Sequence, residues 1–366
     1  MKKLGISVYP GWMNDIDETR GYIKQASDLG FKILFTSLHI PEIDYGKALE
    51  EFREILKYAG ELNFFVMADI SPRAFDLLGI RKGDFKKLKE MGIDCIRTDF
   101  GYSSDELVAY IENPEGMKIA LNASTLTREE LFKVLYPLRK RDNLTACHNF
   151  YPRRETGLSI ELYKERSKPL QEEGIEVFSF VPSRYKRRGP VYEGLPTLEL
   201  HRDLPAHIGA QHLLTCLGTD GVIVGDIQAS EHELHLMSEA LNGQITLSVN
   251  VCSEVTSEER ALIFGRPHTN RLDPGCFCLR SVESRQYATG GREIKPGVLR
   301  ERKRGCITID NSKYGRYSGE LQVVLADLPP DERVNVVGYI PEGEHFLLDY
   351  IGPGTRFCFR EGDIIE

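Results

Sequence analysis

The sequence predicts an α/β protein in which a (β/α)8 TIM barrel precedes a smaller, mostly-β domain. Eight short apolar runs recur over about the first 240 residues, with helix-like segments between them. Beyond residue 243 the pattern changes to strands joined by turns rich in Gly and Pro. We therefore expect a barrel over residues 1–241 and a β-domain over residues 242–366.

Each barrel strand is predicted by an apolar run, and most of these runs end in polar residues. Segments of helical periodicity, such as YGKALEEFREILKYAGEL and TREELFKVLYPLRK, separate them. The polar endings matter because the C-terminal ends of the strands build the active site of a barrel. The runs are LGISVYP from Leu4, FKILFTS from Phe31, FFVMADISP from Phe64, IDCIRTDFG from Ile93, MKIALNAS from Met117, NLTACHNFYP from Asn143, IEVFSFVPS from Ile175 and DGVIVGDIQ from Asp220.

The second domain is predicted by six further strand-like segments and by the lack of a long helical pattern after residue 264. We expect them to form a mostly antiparallel barrel or sandwich. In RPHTNRLDPG, His268 and Asn270 either form a lid over the barrel or stabilise a turn, and the turn is the simpler expectation. The segments are QITLSVNVC, GCFCLRSV, RGCITIDN, GELQVVLADL, RVNVVGYI and TRFCFREGD.

Composition narrows the class of protein. The 366 residues are 41% hydrophobic and 28% charged, as in soluble globular proteins, and the net charge of −8 argues against nucleic acid or an anionic membrane as partner.

No apolar stretch approaches the roughly 20 residues that span a bilayer, and Pro10 interrupts the start too early for a signal peptide. The eight scattered cysteines lack zinc-site spacing. We expect a reduced, cytoplasmic protein without metal or cofactor; a homo-oligomer stays open.

Strand alternation selects the residues that enter the barrel lumen. In IDCIRTDFG, one face carries Cys95, Arg97 and Asp99, and the other carries Ile96, Thr98 and Phe100. Because helix-facing positions of a barrel strand are apolar, the face with Arg97 and Asp99 is expected to be the lumen. Asp99 would then lie at the rim, with Arg97 one layer below. The alternative is an internal Arg97–Asp99 ion pair without further function, since an unpaired charge there would cost several kcal/mol.

Other polar residues fall at the ends of the predicted strands. Surface solvation does not explain so many polar residues at the ends of interior strands. His148 points outward or into the site, depending on whether the strand contains a bulge, and Glu155 lies in the loop after strand six. The remaining candidates at the rim are Asp69, Asn122, Asn149 and Asp226.

The loops after strands six and seven are basic. Barrels often bind phosphate near strands seven and eight, and arginine suits bidentate capture of phosphate or carboxylate. Ser183 and Arg184 are the preferred pair because they follow strand seven directly. A solvated charge run is the competing interpretation. The other basic residues of these loops are Arg153, Arg154, Lys186, Arg187 and Arg188.

Several barrel chemistries can be argued against. Strand one has no His-x-His pair for a metallohydrolase, and no three-cysteine cluster suits an iron–sulfur enzyme. Lys118 lies too early in strand five for a Schiff-base lysine. Carboxylate-based acid–base or nucleophilic chemistry on a polar, anionic substrate remains.

Segments along nearly the whole chain resemble a bacterial family once described only as outer-surface proteins of unknown function and now associated with 6-phospho-N-acetylmuramidase activity. The chain differs somewhat in its first loop, GWMNDIDE, which brings Trp12, Asp15 and Asp17 close to strand one. The matching segments are LGISVYP, DISP, RTDFG, LNAS, HNFYPR-x-x-TGLS, RRGP-x-x-EGLPTLE-x-HR, RPH-x-NRLDPG and RG-x-ITIDN-x-x-YGRY-x-GELQ.

The resemblance implies a TIM barrel followed by a cyclophilin-like β-domain. It also implies a cytoplasmic glycosidase of peptidoglycan recycling, which cleaves 6-phospho-MurNAc–GlcNAc into MurNAc 6-phosphate and GlcNAc. The 6-phosphate and the lactyl carboxylate of this substrate would account for several arginines near the rim.

Glycoside hydrolysis needs two carboxyl groups. Asp99 is our hypothesis for the nucleophile or stabilising carboxylate, with Arg97 holding it ionised. Glu155 or Asp226 would be the general acid. The expected substrate contacts are Asp69, Arg97, Asn122, His148, Asn149, Arg153, Ser183 and Arg184.

Two other functions stay open. A phosphosugar epimerase, isomerase or lyase would use Asp69 or His148 as a base and would not hydrolyse a glycosidic bond. A non-catalytic sugar-phosphate sensor would bind its ligand without turnover, but binding alone does not require several carboxylates at the rim.

Overall fold

The computed structural model describes residues 1–12, 15–37, 45–70, 75, 78–98 and 101–362. The chain folds as two compact units, Met1–Leu241 and Asn242–Glu366.

The first unit contains a closed barrel of eight parallel strands in sequence order, in which β1 pairs with both β2 and β8. All eight predicted barrel strands are confirmed. Parallel strands need crossover connections, and helices supply most of them. The strands are β1 (Lys3–Val8), β2 (Ile33–Ser37), β3 (Phe65–Asp69), β4 (Cys95–Thr98), β5 (Lys118–Asn122), β6 (Leu144–Cys147), β7 (Val177–Val181) and β8 (Gly221–Val224).

The barrel helices begin where the sequence carries capping residues. Ser103 accepts a hydrogen bond from the backbone N–H of Glu106, whose side chain returns a bond to the Ser103 backbone, and Thr127 and Glu130 form the same capping box. The helices of this unit are α1 (Ile16–Asp28), α2 (Tyr45–Glu61), α3 (Phe85–Glu90), α4 (Ser104–Ile111), α5 (Arg128–Leu135), α6 (Ile160–Glu172), α7 (Ala206–Gln211) and α8 (Glu231–Glu239).

Apolar side chains fill the lumen of the barrel. Phe35, Phe150 and Phe180 meet edge to face, with ring centroids 5.0–6.1 Å apart. Because burying an unpaired charge in such a core is costly, a charged side chain on the lumen face needs a partner. The buried members of the cluster are Tyr9, Ile33, Phe35, Met67, Cys95, Ala120, Cys147, Phe178, Phe180 and Ile223.

The second unit is built on one seven-stranded sheet of order β10-β15-β9-β14-β12-β13-β11. All six predicted strands are present, but among the described residues they form a single sheet, not the expected barrel or sandwich. The last strand, β15, pairs in parallel with β9, the first strand of this unit. The strands are β9 (Ile245–Val251), β10 (His268–Thr269), β11 (Cys278–Arg280), β12 (Cys306–Asp310), β13 (Leu321–Val324), β14 (Val334–Tyr339) and β15 (Arg356–Glu361), and helix α9 (Ser257–Phe264) follows β9.

His268 and Asn270 stabilise this second unit. Both side chains are buried; His268 bonds the Ser281 hydroxyl and the Ile263 carbonyl. The Asn270 amide donates to the carbonyl of Ile351. These contacts favour the turn interpretation of the RPHTNRLDPG segment.

No helix in the described part of the chain has the length and apolar character that crossing a bilayer requires.

The aromatic core of the lumen makes a stability prediction. Phe180 is 0% exposed, so Phe180→Ala should lower the free energy of unfolding by about 3–5 kcal/mol through lost burial and a cavity. Tyr136 is 93% exposed, and Tyr136→Ala should change it by less than about 0.5 kcal/mol. Urea denaturation measures both; equal effects would contradict a packed lumen at Phe180.

Candidate functional site

The C-terminal ends of strands β1–β8 form one end of the barrel, which we call the mouth. Arg97 lies there on the lumen face, two residues beyond the core residue Cys95, and is 4% exposed. Its guanidinium donates to Asp69 Oδ1 at 3.4 Å and to Asn149 Oδ1. Three of the predicted site residues are therefore in contact, and the half-buried carboxylate of Asp69 forms an ion pair with the buried Arg97 cation. Asp99, the proposed nucleophile, lies outside the described residues.

Asn122 ends β5 on the same face as the lumen residue Ala120. Its Oδ1 accepts a hydrogen bond from the backbone N–H of Ser124 at 3.0 Å, which turns the chain after the strand. The Ser124 hydroxyl in turn accepts from the backbone N–H of Asn149 at 2.8 Å. These bonds join the ends of β5 and β6.

His148 lies on the opposite face of its strand from the lumen residues. Its ring nitrogens bond the hydroxyls of Ser124 at 3.0 Å and Ser167 at 2.9 Å, and its ring stacks on Tyr163 of helix α6. Burial, with the Arg97 charge adding to it, lowers the pKa of His148 to about 3. The side chain is 0% exposed and packs between strand and helix, so this position does not favour contact with a substrate.

Asp226 also points away from the lumen. Ile223 is part of the lumen core, so alternation puts Gly225 on the lumen face and Asp226 on the opposite face. Its carboxylate is 0% exposed and accepts backbone N–H bonds from Ser183 at 2.9 Å, Arg188 at 3.0 Å and Leu195 at 3.3 Å. Burial raises the pKa of Asp226, and these three donors oppose the rise. The carboxylate thus holds together the loop that follows β7.

Ser183 is part of the same loop and is fully buried. Its hydroxyl donates toward the Gln228 carbonyl at 2.9 Å and Glu233 Oε2 at 3.0 Å, and it accepts from the backbone N–H of Tyr185. Because protein groups already occupy this hydroxyl, its position favours a role in shaping the loop over phosphate binding.

Arg188 is the basic residue of this loop that reaches the lumen aromatics. Its guanidinium carbon lies 4.7 Å from the ring centroid of Tyr9 and 4.7 Å from that of Phe150. Cation–π contacts of this kind hold a guanidinium in place while leaving its N–H edge available. The side chain is half-buried.

A second network fixes the loop after β6. The Glu199 carboxylate accepts the backbone N–H groups of Glu155 at 2.8 Å and Gly157 at 2.7 Å, and two N–H groups of Arg202 at 2.6 Å each. Arg202 is 2% exposed and donates onward to the carbonyls of Arg153 and Gly194. We call Glu199 and Arg202 the clasp, because together they join the loops after β6 and β7.

The clasp holds Glu155 in a conformation that non-glycine residues rarely adopt. Its φ is 67°, a backbone strain of order 1–3 kcal/mol that persists only where surrounding contacts impose it. A Cβ at Gly157 would lie 2.6 Å from Glu199 Oε2, so a glycine lets this loop approach the clasp. The Glu155 side chain itself is exposed. Strain imposed by buried contacts is a recurrent feature of functional loops.

Three other predicted cations of these loops, Arg153, Arg154 and Arg184, have exposed side chains. Arg154 forms a two-bond ion pair with Asp203, with N–O distances of 2.8 and 2.9 Å, and Arg184 donates to the backbone carbonyl of the same residue. The Arg153 side chain is exposed, and the Arg153 backbone carbonyl accepts a hydrogen bond from Arg202. Arg154 is thus already neutralised by a carboxylate.

The clasp and the distinct position of Arg188 were not predicted from the sequence. The RRGP-x-x-EGLPTLE-x-HR segment contains Arg188, Glu199 and Arg202, so the signal was present. Nothing in the linear pattern separated Arg188 from its charged neighbours, since its ring contacts come from β1 and β6.

The described residues contain no group of three or more His, Cys, Asp or Glu side chains arranged to hold a metal ion. All eight cysteines are free thiols.

The fold and site define a barrel protein with carboxylates and arginines gathered at the C-terminal ends of its strands. Residues 4–239 match the model of the N-terminal domain of 6-phospho-N-acetylmuramidase, and residues 245–360 match that of the C-terminal domain. The chain belongs to the 6-phospho-N-acetylmuramidase family, whose name is that of a glycosidase.

Two solved structures resemble the whole chain. An uncharacterised protein of B. cereus is 34% identical, with a TM-score of 0.87, and the match covers 99% of this chain and 100% of that one. A conserved Enterococcus faecalis protein of unknown function is 33% identical, with a TM-score of 0.79 over 98% of this chain and 96% of that one. No curated protein matches the sequence.

The clasp can be tested through stability. Glu199→Gln should lower the free energy of unfolding by about 1.5–3 kcal/mol, because the buried Arg202 loses its charged partner. Asp203→Asn breaks an exposed ion pair and should cost less than about 1 kcal/mol. Chemical denaturation compares the two; a loss for Glu199→Gln no larger than for Asp203→Asn would contradict the clasp.

His148 predicts a pH dependence of stability. Its folded pKa of about 3 lies below the ordinary histidine pKa of 6.5, so between these pH values the unfolded chain binds the extra proton. Its contribution is therefore complete above pH 6.5 and is lost as the pH falls toward 3. His148→Gln should remove up to about 1.36 kcal/mol per pH unit from the slope in this window.

The measurement is the free energy of unfolding at several pH values from 7 to 4, with the variant of the exposed His235, His235→Gln, as control. An unchanged slope in His148→Gln would show that His148 titrates alike in the folded and unfolded chains.

Proposed function

We propose that this protein is a hydrolase that cleaves 6-phospho-N-acetylmuramyl-N-acetylglucosamine into MurNAc 6-phosphate and GlcNAc. The observation that carries the proposal is the match of both units to the 6-phospho-N-acetylmuramidase family. Carboxylates and arginines at the barrel mouth support it, because hydrolysis needs two carboxyl groups and the substrate carries two anionic groups. The substrate is the phosphorylated amino-sugar disaccharide.

Asp99 is the proposed nucleophile or stabilising carboxylate. It follows β4 directly, two residues beyond the lumen residue Arg97. Arg97 already holds Asp69 and Asn149 in place, which provides a rigid polar layer below the reacting sugar. The proposed contacts in this layer are therefore Asp69, Arg97 and Asn149, with Asn122 beside them.

Glu155 is the preferred general acid over Asp226. All three backbone donors around Asp226 require its carboxylate as an acceptor, and the side chain is 0% exposed. Glu155 instead has an exposed side chain on a backbone held at φ 67° by the clasp. A general acid must reach the glycosidic oxygen, so accessibility favours Glu155.

Arg153 and Arg184 remain proposed contacts for the outer part of the substrate, since both are exposed on the loops after β6 and β7. We extend three further properties from the family resemblance alone: location in the cytoplasm, a role in peptidoglycan recycling, and a cyclophilin-like fold of the second unit.

The alternative of an epimerase, isomerase or lyase loses much of its support. Such an enzyme needs a base at the substrate, and His148 is buried between strand and helix with both ring nitrogens bonded. Asp69, the other candidate base, is paired with Arg97.

Turnover of the phosphorylated disaccharide tests the assignment of the carboxylates. Asp99→Asn and Glu155→Gln should each lower kcat by about 100-fold or more, because each removes a group that acts on the reacting bond. Asp226→Asn should chiefly lower the free energy of unfolding, by about 1.5–3 kcal/mol.

Product release by liquid chromatography and denaturation curves on the same preparations give both quantities. A wild-type rate in Asp99→Asn or Glu155→Gln removes that residue from the mechanism. A folded Asp226→Asn variant of unchanged stability that has lost turnover would make Asp226 the acid instead.

A further inference from the structure

The arginines around the mouth differ in how their charge is satisfied. Arg97 pairs with Asp69, Arg154 with Asp203 and Arg202 with Glu199. The guanidinium of Arg188 makes ring contacts but has no hydrogen-bond acceptor and no carboxylate partner among the residues that the structure describes. A half-buried cation of this kind is a ready site for an anionic ligand.

The backbone of Arg188 is fixed independently of any ligand. Its N–H donates to Asp226 Oδ1 at 3.0 Å, while Asp226 Oδ2 accepts from Ser183 and Leu195. The next residue, Gly189, lies against Trp12: a Cβ there would be 2.5 Å from the Trp12 ring. The loop therefore presents Arg188 in one position, which reduces the entropy lost on binding.

The aromatic contacts place the cation at the mouth of the barrel. Tyr9 and Phe150 pack in or against the lumen core, and the two rings each lie 4.7 Å from the guanidinium carbon. Tyr9 directly follows β1 and Phe150 lies just beyond β6, so both rings are at the strand ends that form the mouth. Arg188 thus lies at the same end of the barrel as Asp69.

We propose that Arg188 binds an anionic group of the substrate, a phosphomonoester or a carboxylate, through the free N–H edge of its guanidinium. Planar guanidinium groups bind the oxygens of such anions through two parallel hydrogen bonds. The inference rests on the proposed function for the identity of the substrate, which carries a 6-phosphate and a lactyl carboxylate. For this anion we therefore favour Arg188 over the sequence-based pair Ser183 and Arg184.

The kinetic test compares three substrates: 6-phospho-MurNAc–GlcNAc, its unphosphorylated form, and 6-phospho-GlcNAc–GlcNAc, which lacks the lactyl group. Arg188→Gln should lower kcat/KM for the full substrate by about 10- to 100-fold. The loss should disappear with the substrate that lacks the anion bound by Arg188. Comparing the loss of kcat/KM among the three substrates therefore identifies that anion. Arg188→Lys keeps the charge but not the planar edge and should recover only part of the loss.

The matched control is Arg141→Gln, which removes an arginine that pairs with Glu173 before strand β6, at the opposite end of the barrel. It should leave kcat/KM for all three substrates unchanged within about 2-fold. A loss in Arg188→Gln that is equal for all three substrates, or no loss with any, overturns the proposal.

Calorimetric titration separates this inference from the glycosidase proposal. MurNAc 6-phosphate, MurNAc and GlcNAc 6-phosphate are the probes, with the wild type, Arg188→Gln and Arg141→Gln. One outcome is that no disaccharide is hydrolysed, while MurNAc 6-phosphate binds at least about 10-fold more weakly to Arg188→Gln than to the wild type or Arg141→Gln. This outcome would overturn the glycosidase proposal and support the anion site. Equal affinity of the wild type and Arg188→Gln for MurNAc 6-phosphate overturns the anion site, whatever the hydrolysis result.

Discussion

The buried carboxylate of Asp226 is the interaction on which the mouth of the barrel depends. At the end of β8, this carboxylate accepts hydrogen bonds from the backbone N–H groups of Ser183, Arg188 and Leu195. Hydrogen bonds to a charged group contribute about 1.5–3 kcal/mol each, enough to hold an irregular loop in one conformation. The position of Arg188 over Tyr9 and Phe150 follows from this anchor. A residue with no exposed surface thus shapes the surface that a substrate would meet.

The clasp fixes the backbone of the loop after β6, as Asp226 fixes the backbone of the loop after β7. Glu199 and Arg202 satisfy backbone donors and acceptors from both loops, so the two loops are constrained as one structure. Burial raises the pKa of Glu199, but the bonds from Arg202 and the backbone outweigh it and lower the pKa to about 2, so the clasp stays charged at neutral pH. Two hydrogen-bond networks, each with a buried charged residue (Asp226 or Arg202), therefore hold two loops in place. The exposed Glu155 and the half-buried Arg188 of these loops remain available to a ligand.

The barrel was predictable because its strands and helices carry strong periodic signals. The orientation of Arg97 was predictable because its charge would not suit the apolar, helix-facing side of β4. In β8 the run VIV is apolar on both faces, as buried parallel strands are, so alternation could not show that Asp226 points away from the lumen. The direction of the His148 side chain could not be predicted, because it depended on whether β6 contains a bulge. Arg188 could not be selected, because its contacts join residues from β1, β6 and β8 that are distant in sequence.

The central claim is that the barrel mouth hydrolyses a glycosidic bond of a phosphorylated muramyl disaccharide. The most direct measurement is mass spectrometry of the products formed from 6-phospho-MurNAc–GlcNAc in water enriched in ¹⁸O. A hydrolase should release GlcNAc and MurNAc 6-phosphate, with one heavy oxygen at the new reducing end of MurNAc 6-phosphate. Release of GlcNAc with an unsaturated or unlabelled phosphosugar, or a rearranged but uncleaved disaccharide, would contradict the account.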